Sequence, residues 1–212
     1  MKTHNYFAAF AFALLQVFGT AQAQTTVTFS DVASTSYISS PVISQQVTFT
    51  PDFQHVVTAS DVDPFSGKTL TGDGNFLAYN STSGVGESFA FVASAPFNLL
   101  SLDLGGGYNF GSAARTISVT GMRTHGSSVT TLLSVASGSF THFVLSGFSN
   151  LTSVKLGHVG DSSYYVGIDN IITTPVPEPE TYAMLLVGLL MLSGMVRIVR
   201  MDYRTNGSVA RQ

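Results

Sequence analysis

The chain has no cysteine. That excludes disulfides, thiolate metal sites and a cysteine nucleophile, so stability must come from packing and backbone pairing. It also has no tryptophan, and only 10% of its residues are charged, against about 25% in ordinary soluble domains. No Gly-x-Ser-x-Gly elbow is present, which removes the usual signature of an α/β hydrolase. His55, His125, His142 and His158 are scattered with no ligand spacing such as His-x-x-x-His, and read as exposed strand or turn histidines. No long amphipathic helical pattern runs through the middle of the chain.

Ser, Thr, Gly and Asn supply the polar surface instead, together with 16 Phe and 8 Tyr. This composition favours strands over helices. Between Gln24 and Pro175 the basic residues are Lys68, Arg115, Arg123 and Lys155, against nine acidic residues, a body charge of −5. A phosphate backbone needs a basic footprint, so the acidic body argues against nucleic acid as a partner.

The first residues have the three-part layout of a secretory signal. Lys2 and His4 open it, an apolar stretch runs from Phe7 to Gly19, and Ala21-Gln22-Ala23 supplies a small-x-small cleavage pattern. Residues 1–23 are expected to be removed, with Ala21 and Ala23 read by the peptidase, leaving a mature chain that begins at Gln24.

The far end carries a second address. Val176-Pro177-Glu178-Pro179-Glu180-Thr181 precedes a charge-free, mostly apolar run from Tyr182 to Val196, and Arg197, Arg200 and Arg204 follow. Ile198 and Val199 lengthen the run if Arg197 snorkels toward the headgroups. The expected divisions are a body at 24–174, a proline-rich motif at 175–181, a transmembrane helix at 182–199 and a basic cytoplasmic tail at 200–212. Basic flanks stay in the cytoplasm, which puts the body outside the inner membrane. Two prolines remove backbone donors and hold an extended peptide that a processing enzyme can thread.

This tail resembles a PEP-CTERM sorting signal, also known as the C-terminal segment of ice-binding-type proteins. Val176, Pro177, Glu178, Pro179 and Thr181 match the motif, and the helix with Gly188 and Gly194 and the trailing arginines match its order of parts. The resemblance implies an exosortase as processing partner, anchorage in the inner membrane before processing, and delivery to the cell surface or an exopolysaccharide matrix. The spaced arginines and the polar extension Met201 to Gln212 depart from the pattern.

Period-two alternation and turn residues divide the body into short strands: Thr26–Asp31, Gln46–Thr50, Gln54–Thr58, Asn75–Tyr79, Glu87–Ala93, Phe97–Leu104, Arg115–Met122, Ser128–Ser134, Phe140–Leu145, Thr152–Gly157 and Tyr164–Thr173. Gly72-Asp73-Gly74 and Gly105-Gly106-Gly107 read as breakers. Ser-rich Val32 to Ser44 reads as a long loop. The predicted class is all-β, an antiparallel β-sandwich. The opening Val27-Thr28-Phe29-Ser30-Asp31 and the closing Tyr165-Val166-Gly167-Ile168-Asp169-Asn170-Ile171 resemble those of exported jelly-roll domains, which implies that first and last strands are neighbours. Many carbohydrate-binding modules share that fold.

Three groups are chemical candidates. Asp31, Asp169 and Asn170 would come together if the end strands pair, and could offer oxygens to a structural Ca²⁺. Asp61, Asp63 and Asp73 lack the Gly and terminal Glu of an EF-hand loop and read as a solvated acidic loop. Tyr108 and Phe110, in the Gly-rich segment 105–111, could stack on sugar rings; plugging of the sandwich end is the alternative. No paired catalytic carboxylates can be assigned. The expectation is a non-enzymatic surface or matrix protein, structural or weakly polysaccharide-binding. A polysaccharide-active enzyme and an ice-binding protein are the rivals.

Overall fold

The computed structural model describes residues 23–35, 40–50, 55–81, 89–158, 164–176 and 185–191. The body and the stretch from Pro177 onward form separate compact units. In the second unit, residues 185–191 are helical and exposed. Among the described residues, no helix is long and apolar enough to cross a membrane. Residues 1–22, including Ala21 of the expected signal, together with Pro177, Glu178, Pro179 and Thr181 of the expected sorting motif and Arg197, Arg200 and Arg204, lie outside the described residues, whereas Ala23 and Val176 lie within them.

The body is all-β and antiparallel. Its strands are β1 (Thr25–Val27), β2 (Val42–Ser44), β3 (Val47–Thr50), β4 (His55–Val62), β5 (Thr69–Ser81), β6 (Phe89–Ala93), β7 (Phe97–Gly106), β8 (Arg115–Arg123), β9 (Ser128–Val135), β10 (Phe140–Val144), β11 (Leu151–His158) and β12 (Tyr164–Pro175). One half-sheet runs β4-β5-β12-β7-β10, and the other runs β2-β3-β6-β11-β8-β9. They join where Leu151 pairs with Phe97. As expected, the first strand lies beside the last, with Val27 opposite Ile171.

Alternation explains the main core. In β8, Ile117, Val119 and Gly121 point inward while Ser118 and Thr120 face out, as a pleated strand requires. Leu77, Leu102, Leu104, Val166 and Ile168 from one half-sheet meet Phe49, Phe89, Phe91, Val119 and Val154 from the other. Tyr79 stacks on Phe89 across the core at 4.5 Å.

Three segments differ from the expectation. The strand read as Thr26–Asp31 ends at Val27, because Phe29 turns the chain at φ +53° and Val32 N–H donates back to the Phe29 carbonyl. The Ser-rich stretch contains β2, whose Val42 and Ser44 are buried against β3. Gly72-Asp73-Gly74 does not end a strand; it is an irregularity inside β5. Thr58 of β4 pairs with Phe76, yet Ser60 pairs with Thr71. Four residues of β5 stand there against the single Ala59 of β4, an excess of three, and glycine permits the bend.

Beyond the bend, the tip of the β4–β5 hairpin lies on the outer face of its own half-sheet. Leu70 sits over the paired glycines Gly105 and Gly167; a Cβ on Gly167 would stand 2.6 Å from Leu70 Cδ2. Leu70, Phe76, Ala78 and Tyr165 form a second small core, with Phe140 against it. Phe76 and Phe140 meet edge to face at 5.1 Å. The hairpin tip is therefore a flap with its own apolar anchor.

Candidate functional site

The flap is fastened at its far end by two buried aspartates. Asp63 is fully buried. Its Oδ1 accepts the Phe65 amide at 3.0 Å, and its Oδ2 accepts the Ser66 hydroxyl at 2.8 Å and the Gly111 amide at 2.7 Å. Burial works to raise its pKa, but these donors outweigh it and hold the carboxyl below its ordinary value. Asp61 Oδ2 accepts the Tyr108 amide at 2.7 Å. Burial pushes Asp61 up, partly opposed by the amides of Tyr108 and Val62, and the charge of Asp63 adds to the rise. A side chain on Gly107 would collide with Asp61. The expectation of a solvated acidic loop is thus corrected for this pair. These carboxylates are structural clamps, and their partners lie 47 and 48 residues away.

The clamp holds two exposed aromatic rings. Phe65 is 78% exposed at the hairpin tip, and Tyr108 is 40% exposed in the facing loop. Tyr108 also meets Tyr165 edge to face at 5.7 Å. The backbones of both residues donate to the Asp61/Asp63 pair, so the main chain that carries each ring is anchored, and the Tyr108 ring is held further by Tyr165. Phe110 is corrected. It is completely buried and packs edge to face on Tyr164 at 5.0 Å, with the Arg115 guanidinium over both rings. Arg115 Nε also donates to the Phe110 carbonyl at 2.6 Å. Phe110 plugs the sandwich end, and period-two counting cannot separate it from Tyr108 because the segment is a turn. Phe65 was missed by sequence reasoning. Its signal was the Asp-Pro-Phe-Ser-Gly turn, a tight turn carrying a large apolar residue at its apex.

At the bend of the flap a polar row crosses four strands. Asp169 of β12 lies opposite Asp103 of β7, which lies opposite His142 of β10. Asp103 accepts from His142 Nδ1 at 2.6 Å and from Asn170 Nδ2 at 3.0 Å. Asp169 accepts the Asn170 amide at 2.8 Å and shares a side-chain hydrogen bond with Asp73. Asn170 adopts φ +46° at a register shift between β12 and β7, a conformation asparagine tolerates. Burial pushes the Asp169 carboxyl up to about 7; the Asn170 amide opposes this, and the charges of Asp73 and Asp103 add to it.

The proposed calcium set does not assemble. Asp31 spends its oxygens on the β2–β3 turn, accepting from Ser44 Oγ at 2.5 Å and the Gln45 amide at 2.9 Å, and these donors lower its pKa. Asp169 and Asn170 turn instead toward Asp73 and Asp103. Among the described residues, no group of three or more histidines or carboxylates is arranged to hold a metal ion. The Asp73–Asp169 pair also fails as a glycosidase pair. Those carboxyls stand about 5–9.5 Å apart, whereas these are hydrogen-bonded, and Asp169 is 1% exposed. His142 is an exposed strand histidine as read, and Asp103 is its cross-strand partner. His125 is exposed in the β8–β9 turn; His55 lies in β4 and His158 in β11.

No protein-family model matches the chain, and no curated protein matches it in sequence. Solved structures do resemble it. An exo-β-agarase superposes with a TM-score of 0.50 at 12% identity, over 74% of this chain and 26% of the agarase, so this chain spans about a quarter of that enzyme. The xylan-binding domain of family 22 from Paenibacillus barcinonensis gives a TM-score of 0.43 at 10% identity, over 74% of this chain and 97% of the domain. The family 11 carbohydrate-binding module of a cellulosomal cellulase of Clostridium thermocellum gives 0.41 at 10% identity, over 75% and 98%. At this identity, the agarase likeness establishes a shared fold and nothing about activity.

Proposed function

We propose that this chain is an exported surface or extracellular-matrix protein whose jelly-roll body is a non-catalytic module that holds polysaccharide. The observation that carries the reading is the pair of exposed aromatic residues, Phe65 and Tyr108, whose backbone amides are both anchored on buried carboxylates. A pyranose presents an apolar C–H face that stacks on an aromatic ring, and an aromatic side chain with two torsions on an anchored backbone loses little entropy on binding. The acidic body, −5 between Gln24 and Pro175, favours neutral over anionic polymers. The sequence supports the location: a cleavable signal at one end, and Val176-Pro177-Glu178-Pro179 with its apolar run and arginines at the other. An exosortase would remove that tail and release the body from the inner membrane.

Affinity electrophoresis of the full chain through gels containing agarose, xylan or alginate tests the binding, run with and without calcium. A neutral polymer should retard the protein, alginate should not, and calcium should change neither result. Retardation by alginate alone, or by none of the three, overturns the reading. Sorting is tested separately by Glu178→Ala in an exosortase-bearing host. The variant should accumulate unprocessed in the membrane fraction, and normal processing contradicts a sorting role.

A further inference from the structure

The β2–β3 turn, held from outside by Asp31, is strained at both of its central residues. Gln45 and Gln46 both adopt left-handed backbone, at φ +46° and +69°. Two-residue hairpin turns of this kind call for Asn-Gly or Gly-rich pairs, and a glutamine at either position costs about 1 kcal/mol. Gln45 carries a second cost: its Oε1 is buried and accepts no hydrogen bond, although buried acceptors are almost always paired. Strain and an orphaned acceptor at the same residue call for a common explanation.

Both glutamines line a surface cavity of about 160 Å³. The opposite walls are the β6–β7 turn, Ala93 to Phe97, and the strand ends at Thr25, Thr173 and Pro175. None of the described lining residues is charged. Hydroxyls of Thr25, Ser94 and Thr173 and the two carboxamides supply polarity, while Val47, Pro96, Phe97 and Pro175 supply apolar walls. An engineered cavity of about 150 Å³ holds one benzene, so this one has room for a single six-membered ring. An uncharged wall selects a neutral ligand, since a buried unpaired charge is heavily penalised. The orphaned Gln45 acceptor, buried beside the cavity, favours a hydroxyl donor once its carboxamide turns into that space.

We propose that this cavity binds one neutral pyranose, a single sugar unit such as a polysaccharide chain end, with Gln45 turning its carboxamide to accept a sugar hydroxyl. The choice of a sugar rests on the polysaccharide reading above, but the site is separate from the Phe65/Tyr108 edge. The left-handed turn is the device that brings Gln45 to the cavity wall. An Asn-Gly turn would fold more easily and leave the wall without its long acceptor.

The test is saturation-transfer NMR and titration of the full chain, held in a sugar-free zwitterionic detergent, with D-glucose, D-galactose and D-mannose. At least one pyranose should bind saturably. Gln45→Met, which keeps the volume and removes the acceptor, should weaken that binding about fivefold to tenfold, and Ala95→Phe should abolish it by filling the space. The double substitution Gln45→Asn with Gln46→Gly should raise the melting temperature while losing the sugar. If all three variants bind the pyranose as the parent does, or if the parent binds none of the three, the proposal falls. Retardation by a neutral polymer in gels that persists in Gln45→Met and Ala95→Phe leaves the aromatic-edge reading standing. A pyranose bound in the cavity by a chain that no polymer retards supports the pocket and overturns that reading instead.

Discussion

Asp63 reaches from the tip of the β4–β5 hairpin to the amide of Gly111, 48 residues away, at 2.7 Å. With Asp61 on Tyr108, that bond joins the flap to the loop after β7, the two segments that carry the exposed Phe65 and Tyr108. Removing it should therefore loosen both elements. Asp63→Ala strips acceptors from Phe65, Ser66 and Gly111 and should destabilise the body by about 2–3 kcal/mol. Its parent carboxyl is held below its ordinary pKa, so the stabilisation it gives is present above the unfolded value of 3.8 and is lost as pH falls through the lower folded value. Urea unfolding at pH 7 and pH 3 checks this: the gap between parent and variant should be wide at neutral pH and narrow in acid.

Leu70 and Gly167 form a second joint. A Cβ on Gly167 would stand 2.6 Å from Leu70 Cδ2, 3.1 Å from Phe140 and 3.2 Å from Phe76. Gly167→Ala should cost about 1–3 kcal/mol by overpacking. In a Leu70→Ala background the same substitution should cost markedly less, because the flap no longer presses on that spot. A double-mutant cycle in urea measures the coupling; strict additivity would show that the hairpin tip does not rest on the glycine pair.

The Asp169 carboxyl gives a pH signature of the opposite sign. Its folded value, about 7, is raised above the ordinary 3.8. Its contribution is full below pH 3.8 and declines as pH rises through 7, where ionisation sets it against Asp73 and Asp103. Asp169→Asn keeps an acceptor for the Asn170 amide and gives Asp73 a permanent donor. It should raise the melting temperature at pH 8 by roughly 2–4 °C, about 1 kcal/mol, and by much less at pH 4.5. Thermal scans at the two pH values read the difference.

Much of the scaffold was legible because each strand is buried on one face, and period two marks it directly. Ile117/Val119 against Ser118/Thr120 is the plainest case. β2 escaped notice because three residues are too few to show a period, and its burial depends on β3. The bend at Gly72-Asp73-Gly74 was recognisable as glycine punctuation, yet composition does not distinguish a chain that stops pairing from one that folds over its own sheet. The site was less legible still. Asp61 and Asp63 have the composition of a solvated loop, and only the fold brings the backbone amides of 108 and 111 to them. Phe110 and Tyr108 are two residues apart in a Gly-rich turn, where alternation gives no guide to which ring is inside. The Asp103–His142 pair needed the β7–β10 register, which no local pattern contains.

Neutral polysaccharide bound at the Phe65/Tyr108 edge should depend on both aromatic side chains. The most direct measurement is affinity electrophoresis of the full chain beside Phe65→Ala and Tyr108→Ala, in gels containing the neutral polymer that retards the parent. Phe65 is 78% exposed, so Phe65→Ala should melt within about 1 °C of the parent, whereas Tyr108→Ala, which loses its edge contact with Tyr165, should melt a few degrees lower yet stay folded at the temperature of the gel. Each should lose most of the retardation, and the double variant should run as in a polymer-free gel. Undiminished retardation of the double variant would contradict the claim.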